Sequence, residues 1–364
     1  NVDIDGTSNF ADDITLTGHI SASGEISSSS NIGMDGNLYV GGVVDVAGIS
    51  LSNNDAGSGN TIFGSGSGAV IASGGNYNAV FGQGAGGALT TGDTSVAVGF
   101  EALLTEDTNS ENTAIGYQAL KTQNGADGNT AVGMRAGVDL TTGAANTFVG
   151  AETAANVTTG ADNVMMGKAA GVTATTSSGS VFIGRSAGNA VTTGNQNIAI
   201  GKDAMAGAAT TGDRNIVIGR EAGRLLTSGH SNVLIGDEAA TNITTARENV
   251  VIGKGAYANA NTSENFAVVV GYNAANNVDG IDNVVAIGHS ALSTMVAVDG
   301  NTAVGFEAGK VTTGANNTYL GFKAGLGASG VETANVAVGS NALLSITDGE
   351  NNVAIGYLAL DALT

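Results

Sequence analysis

Along most of this chain an apolar residue stands directly before a glycine, and the pair returns about every 17 residues. The glycines are Gly64, Gly82, Gly99, Gly116, Gly133, Gly150, Gly167, Gly184, Gly201, Gly219, Gly236, Gly253, Gly271, Gly288, Gly305, Gly321, Gly339 and Gly356, which makes 18 copies. The residue before each is apolar, as in Val98, Ile115, Val132, Val149 and Met166. Two positions earlier Val, Ile or Thr is common, and the residue between them varies from Ala to Phe and Tyr. This period of two predicts a strand of about five residues whose constant apolar positions form its buried face. The anchor glycine ends the strand, where a positive φ or a close approach suits a residue without a Cβ. The third residue after the anchor is Ala in 16 copies, with Ser67 and Thr153 the exceptions. A second glycine stands seven residues before many anchors, as in Gly143, Gly160 and Gly229, usually after Thr-Thr or Thr-Ser. Each repeat therefore reads as two short strands and two turns.

Seventeen residues are too few for a helical repeat, which needs 30 or more. They suit one coil of a parallel β-solenoid, a β-roll whose coils bury their apolar face only by stacking. Eighteen coils at about 4.8 Å each predict a rod of about 85 Å. The Asn four residues before many anchors (Asn112, Asn129, Asn146, Asn163, Asn197) fits a ladder or corner position, because Asn bonds locally to backbone. The roll is expected over 57–364. Residues 1–56 differ: short apolar pieces alternate with Gly and Ser, too sparsely to fold alone.

Composition agrees with this reading. The 364 residues include 58 Gly and no Pro, Cys or Trp. Absence of proline fits a chain in which nearly every backbone N–H serves a ladder. The net charge is −20, and no Lys or Arg precedes Lys121. That balance disfavours binding to nucleic acid, whose phosphates must be met by cations. No run of 18 apolar residues suggests membrane insertion.

"NTAIGYQAL" (Asn112–Leu120) and "NIAIGKDAM" (Asn197–Met205) resemble the repeats of trimeric autotransporter adhesin heads. The longer form with the TTG spacer resembles repeats of phage tail fibres. The resemblance spans Asn60 to about Leu360 and implies a left-handed parallel β-roll in which three chains pack side by side. Residues 1–56 resemble the intertwined β shafts of trimeric phage fibres, where three chains supply one core.

Candidate sites are few. "GQGAGG" (Gly82–Gly87) fits a dinucleotide fingerprint, but the repeat already explains its glycines and nothing nearby reads as a helix. "NVDIDG" (Asn1–Gly6) begins like a calcium loop, yet Asp12 replaces the bidentate Glu, so an acidic strand and turn is favoured. His19, His230 and His289 lie far apart, with no metal-ligand spacing. No cofactor, metal or catalytic residue is expected.

The two positions after each anchor are richer. They hold Arg135, Lys168, Arg185, Lys202 and Arg220, with Glu221 among the acids at the same slots. Stacking in register would line up Lys168, Arg185, Lys202 and Arg220 about 5 Å apart. Like charges in such a line need acidic neighbours. Two readings follow: an inter-chain salt-bridge seam or a solvated edge. Aromatics at the same slots (Phe100, Tyr117, Tyr272, Phe306, Phe322, Tyr357) suit chain–chain packing, or alternatively an exposed carbohydrate-stacking surface.

The functional expectation is a structural and adhesive homotrimer, a tail-fibre segment of a virion that extends toward a host surface. Its partners are then itself, other virion proteins and a host glycan or protein. The alternatives are a bacterial trimeric adhesin or a self-assembling extracellular filament, and next an ice-binding solenoid with a threonine array. An enzyme is not expected.

Overall fold

A computed structural model of the protein describes residues 57–260, 263, 265–278, 282–294, 299–327, 332–347 and 349–361. The expected β shaft over 1–56, the NVDIDG segment and His19 lie outside the described residues. The described chain is an all-β parallel solenoid with a period of about 17 residues. Eighteen strands, from β1 (Thr61–Phe63) to β18 (Val353–Ile355), form one sheet. Each pairs with its successor in parallel and in register, so that Thr113 faces Thr130 and Thr130 faces Thr147. No helix occurs among the described residues.

Two details differ from the sequence expectation. The strands are three residues long rather than five, and each coil has one strand rather than two. On the far side the described residues form turns, with isolated parallel bridges such as Val191 to Thr210. The backbone explains this. Past the anchor, alternate residues enter the left-handed region, as at Glu101 (φ 52°) and Leu103 (φ 54°). That breaks the pleat which a second strand would need. Non-glycine residues rest in this costly conformation because the next coil over-determines them. The Glu101 amide, for example, donates to the Gln83 carbonyl at 3.0 Å, and the Gln118 amide to the Phe100 carbonyl at 2.8 Å.

The buried face is also reversed. The middle residue of each strand enters the roll, where Ala114, Phe148, Met165 and Phe182 are fully enclosed. The constant apolar positions on either side face outward, with Ile115 38%, Met166 43% and Ile252 38% exposed. Inside, the middle residue and the fourth residue after the anchor are one large and one small in most coils; where both are small, as at Ala131 and Gly137, Phe148 and Leu120 of the neighbouring coils fill the space. Ala97 accompanies Leu103, and Ala114 accompanies Leu120. Phe182 instead meets glycine: a Cβ added at Gly188 would lie 2.6 Å from its ring. Close packing thus constrains sums of volumes rather than single positions.

Gly150 shows why the anchor must be glycine. Its φ is +135°, and a Cβ there would lie 2.7 Å from the Gly167 carbonyl oxygen of the next coil. Both sequence reasons, a positive φ and a close approach, hold at this one position.

The asparagines form a buried ladder. Asn129 Oδ1 accepts the Asn146 amide N–H at 2.9 Å and the Asn146 side-chain N–H at 3.1 Å. Asn146 Nδ2 also donates to the Gly160 carbonyl at 2.9 Å, fastening the TTG corner of the next coil. Ser95 and Ser180 continue the ladder with hydroxyls, whereas Ala267 and Val284 interrupt it. The first threonine of several TTG turns bonds likewise: Thr141 Oγ1 donates to the Thr158 carbonyl at 2.9 Å, and Thr158 Oγ1 to Thr175 at 3.0 Å. Ser67 and Thr153, which replace the corner Ala, also spend their hydroxyls on carbonyls, those of Gly64 and Gly167.

Candidate functional surface

The outward residues of the strands make one continuous apolar face. Two columns run along it, one of Val, Ile and Thr with a single Ala, Ala79, among the described strands, and one of Val, Ile, Leu, Met and Phe. Representative exposures are 37% for Val164, 36% for Val250, 37% for Ile287 and 47% for Leu320. The face runs unbroken across the 18 described strands, whereas the largest apolar patch of an ordinary monomer covers about 300–600 Å². The stack of coils gives it a length of about 80 Å.

The residues just after the anchors border this face in blocks. Phe100 and Tyr117 stack at 5.4 Å between ring centroids with an 11° interplanar angle. Tyr272, His289, Phe306 and Phe322 form a longer stack, at 5.1, 5.1 and 5.3 Å between successive rings. Lys323 Nζ lies 5.4 Å from the Phe322 ring centre. Because the rings lie face to face along the stack, their faces cover one another and their edges point outward. That geometry suits packing against another chain and leaves few ring faces for a sugar. Repeating blocks were legible in the sequence; the insertion of His289 into the aromatic column was not singled out, although its slot was the same.

Between the aromatic blocks lies the cationic one. The carbonyls of Lys168, Arg185, Lys202 and Arg220 each accept the amide two residues past the next anchor, which places the four in one column. Three of them find carboxylates in their own chain. Arg220 meets Glu221 at 2.9 Å, Asp237 at 2.8 Å and Glu238 at 2.6 Å. Arg185 and Lys202 share Asp203, each at 3.6 Å. Arg135 and Lys168 make no ion pair among the described residues. The Arg220 hydrogen bond holds the Asp237 carboxyl below the usual carboxylate range, and Lys310 does the same for Glu307. These groups are solvated, so the pairs order the surface more than they stabilise it.

The anchors Gly99, Gly116, Gly133, Gly150, Gly167, Gly184 and Gly201 all follow a strand directly and all have positive φ. The Gly82–Gly87 segment closes a strand and runs into a turn, not a helix. His230 and His289 sit on different coils, and no cluster of His, Cys, Asp and Glu among the described residues could hold a metal ion.

Two carboxylates, those of Glu106 and Glu332, are enclosed. Glu106 is fully buried, in the column that Leu89 and Leu140 occupy in other coils. Its carboxylate accepts the Asn109 amide at 3.0 Å and Gln123 Nε2 at 3.0 Å. Burial raises its pKa despite those bonds. Gln123 Oε1 is buried with no hydrogen-bond partner.

A scan of protein families finds no model that matches the chain, and no curated protein matches it.

Proposed function

We propose that this chain is a segment of a homotrimeric fibre, structural and adhesive, that extends from a phage virion and attaches it to a host cell surface. The outer apolar face carries the proposal. On each chain the face spans 18 strands with apolar side chains exposed along its length, which suits burial against neighbouring copies. The aromatic columns beside it present edges where a neighbour would pack. The longer repeat form with the TTG spacer, which resembles repeats of phage tail fibres, favours the tail-fibre setting.

The mechanism is mechanical and multivalent. Three columns of coils hold one another straight, and any weak contact with a host glycan or protein recurs along the fibre. The ice-binding alternative gains little from the TTG threonines, whose hydroxyl donors are used within the stack at Thr141 and Thr158. Light scattering on the purified chain, with negative-stain imaging, tests the proposal. Thin particles of three chains are expected; a monomer at all concentrations would sink it, and open-ended filaments would favour the self-assembling surface-fibre alternative.

A further inference from the structure

One corner of the roll departs from the others. In many coils the corner reads Thr-Thr, as at Thr141 with Thr142 and Thr158 with Thr159. In the coil closed by Gly133 the same two positions hold Asn124 and Gly125, the single Asn-Gly pair of the chain. The core residue before them departs too, with Gln123 where the next coil has Leu140.

The departure frees two groups that the threonine corners hold. The Thr142 and Thr159 amides donate to the carbonyls of Thr158 and Thr175, at 3.3 Å each. The Gly125 amide makes no hydrogen bond among the described residues. Thr141 and Thr158 spend their hydroxyls on the next coil, whereas the Asn124 carboxamide has no partner among the described residues. Both Asn124 and Gly125 are exposed. A Cβ at Gly125 would meet only Thr142 Cγ2, at 3.6 Å, so the space beside it is open.

We propose that Asn124 is a site of spontaneous covalent modification, at which the folded chain converts its own carboxamide to aspartate and isoaspartate. The Gly125 nitrogen gives its proton to solvent and attacks Asn124 Cγ. A new N–C bond closes a cyclic imide, the Cγ–N bond of the carboxamide breaks, and ammonia leaves after taking a proton from water. Water then adds to either imide carbonyl and reopens the ring. One opening leaves aspartate; the other leaves isoaspartate, in which the main chain runs through the side-chain carbon. Water is the only co-reactant. The pair lies outside the strand Thr130–Val132, so the reaction needs no second copy.

Elsewhere the fold holds the attacking nitrogen. Asn109 precedes a small residue, Ser110, but the Ser110 amide donates to Asp127 Oδ1 at 2.7 Å. Asp127 and Asp299 precede glycines and could close the same imide with loss of water. There the Gly128 amide donates to the Ser110 carbonyl at 3.3 Å, and the Gly300 amide to the Asp282 carbonyl at 3.4 Å. A bonded N–H gives up its proton less readily, and its nitrogen must break that bond to turn on the carboxyl. The product would also act on the stack. Isoaspartate adds a main-chain carbon between the Asn124 amide, which donates to the Thr141 carbonyl at 3.0 Å, and Gly125. Ageing should therefore loosen this corner before the threonine ones.

A peptide map tests the proposal. The full folded chain would be held in mildly alkaline buffer, digested and read by mass spectrometry, with isoaspartate methyltransferase labelling to detect the rearranged product. Conversion at Asn124 is expected to run at least about tenfold faster than at Asn109, a barrier difference of about 1.4 kcal/mol. Unfolding in guanidinium should speed Asn109 about tenfold and change Asn124 by less than about threefold. Asn124→Thr, which restores the residue found at Thr141, should remove most of the methyltransferase signal. An Asn124 peptide that stays intact in the folded chain, or converts only after unfolding, would overturn the proposal. So would a methyltransferase signal that Asn124→Thr leaves unchanged.

Discussion

The inner and outer faces of the same strands follow opposite rules. Inside, residue size swings from Ala114 to Phe182 and Tyr319, yet every one of these is fully enclosed. Outside, most positions hold Val, Ile or Thr, with departures such as Ala79, Phe81 and Met166, yet Ile115 and Ile252 remain 38% exposed. Variation is usual at a surface and constancy in a core. Here the core residue varies because its own chain compensates it, with Gly171 and Gly188 beside Phe182. Most outer residues are constant as though matched to something uniform beyond the chain. Size constancy along a repeat can therefore mark a contact face rather than a core.

The sharpest way to break this comparison is from the inside. Phe182→Ala should destabilise the chain by about 3–5 kcal/mol in denaturant unfolding, since Gly171 and Gly188 leave nothing to fill the space. A variant that also carries Gly188→Leu should recover part of the loss. Recovery would show that the inner rule is compensation; no recovery would leave Phe182 individually required.

A somewhat smaller loss is expected at the buried corner. Asn146→Ala strands the Asn163 amide and the Gly160 carbonyl, and should lower stability by about 2–3 kcal/mol. The chain tolerates Ala267 and Val284 at equivalent slots, so these coils should be the first to exchange their amide hydrogens. Uniform exchange along the roll would deny the ladder its role.

Outside, Ile252→Ser should change the stability of the separated chain by about 1 kcal/mol or less. Its effect should appear in assembly, as a fall in particle mass at equal concentration. A large loss in the separated chain with assembly intact would erase the distinction between the faces.

The smallest change sits at the pH-sensitive position of the core. The folded chain raises the pKa of Glu106, so its contribution is present at low pH and lost as pH rises through the raised value. Glu106→Gln should flatten that part of the stability profile. The surface carboxylates Asp237 and Glu307 act oppositely, with pKa values held down by cations, and their support fades as pH falls. An unchanged slope in Glu106→Gln would show that the carboxyl does not titrate inside the fold.

Much of this was legible in the sequence. The anchors, the coil count and the asparagine ladder follow from spacing alone, because stacking repeats every local requirement once per turn. The direction of each strand face was not, because apolar constancy at Ile115 or Met166 looks the same whether the partner is a core or another chain. A partial signal was the pairing of sizes in many coils, as at Ala97 with Leu103, Ala114 with Leu120 and Ala199 with Met205, broken at Ala131 with Gly137 and Ala303 with Gly309. The cationic column and the acids at its slots were visible, but which acid meets which cation was not, since Asp203 can serve both Arg185 and Lys202 only once side-chain reach is known.

Each coil bonds only to the coil before it and the coil after it. Pulled from one end of the chain, such a column would release its coils one after another rather than shear as a block. Each release would free about 17 residues, adding roughly 50 Å of slack once the lost rise is subtracted. A force–extension trace of one chain would then be a sawtooth of nearly equal teeth. A thread built this way yields under load by measured lengths instead of snapping.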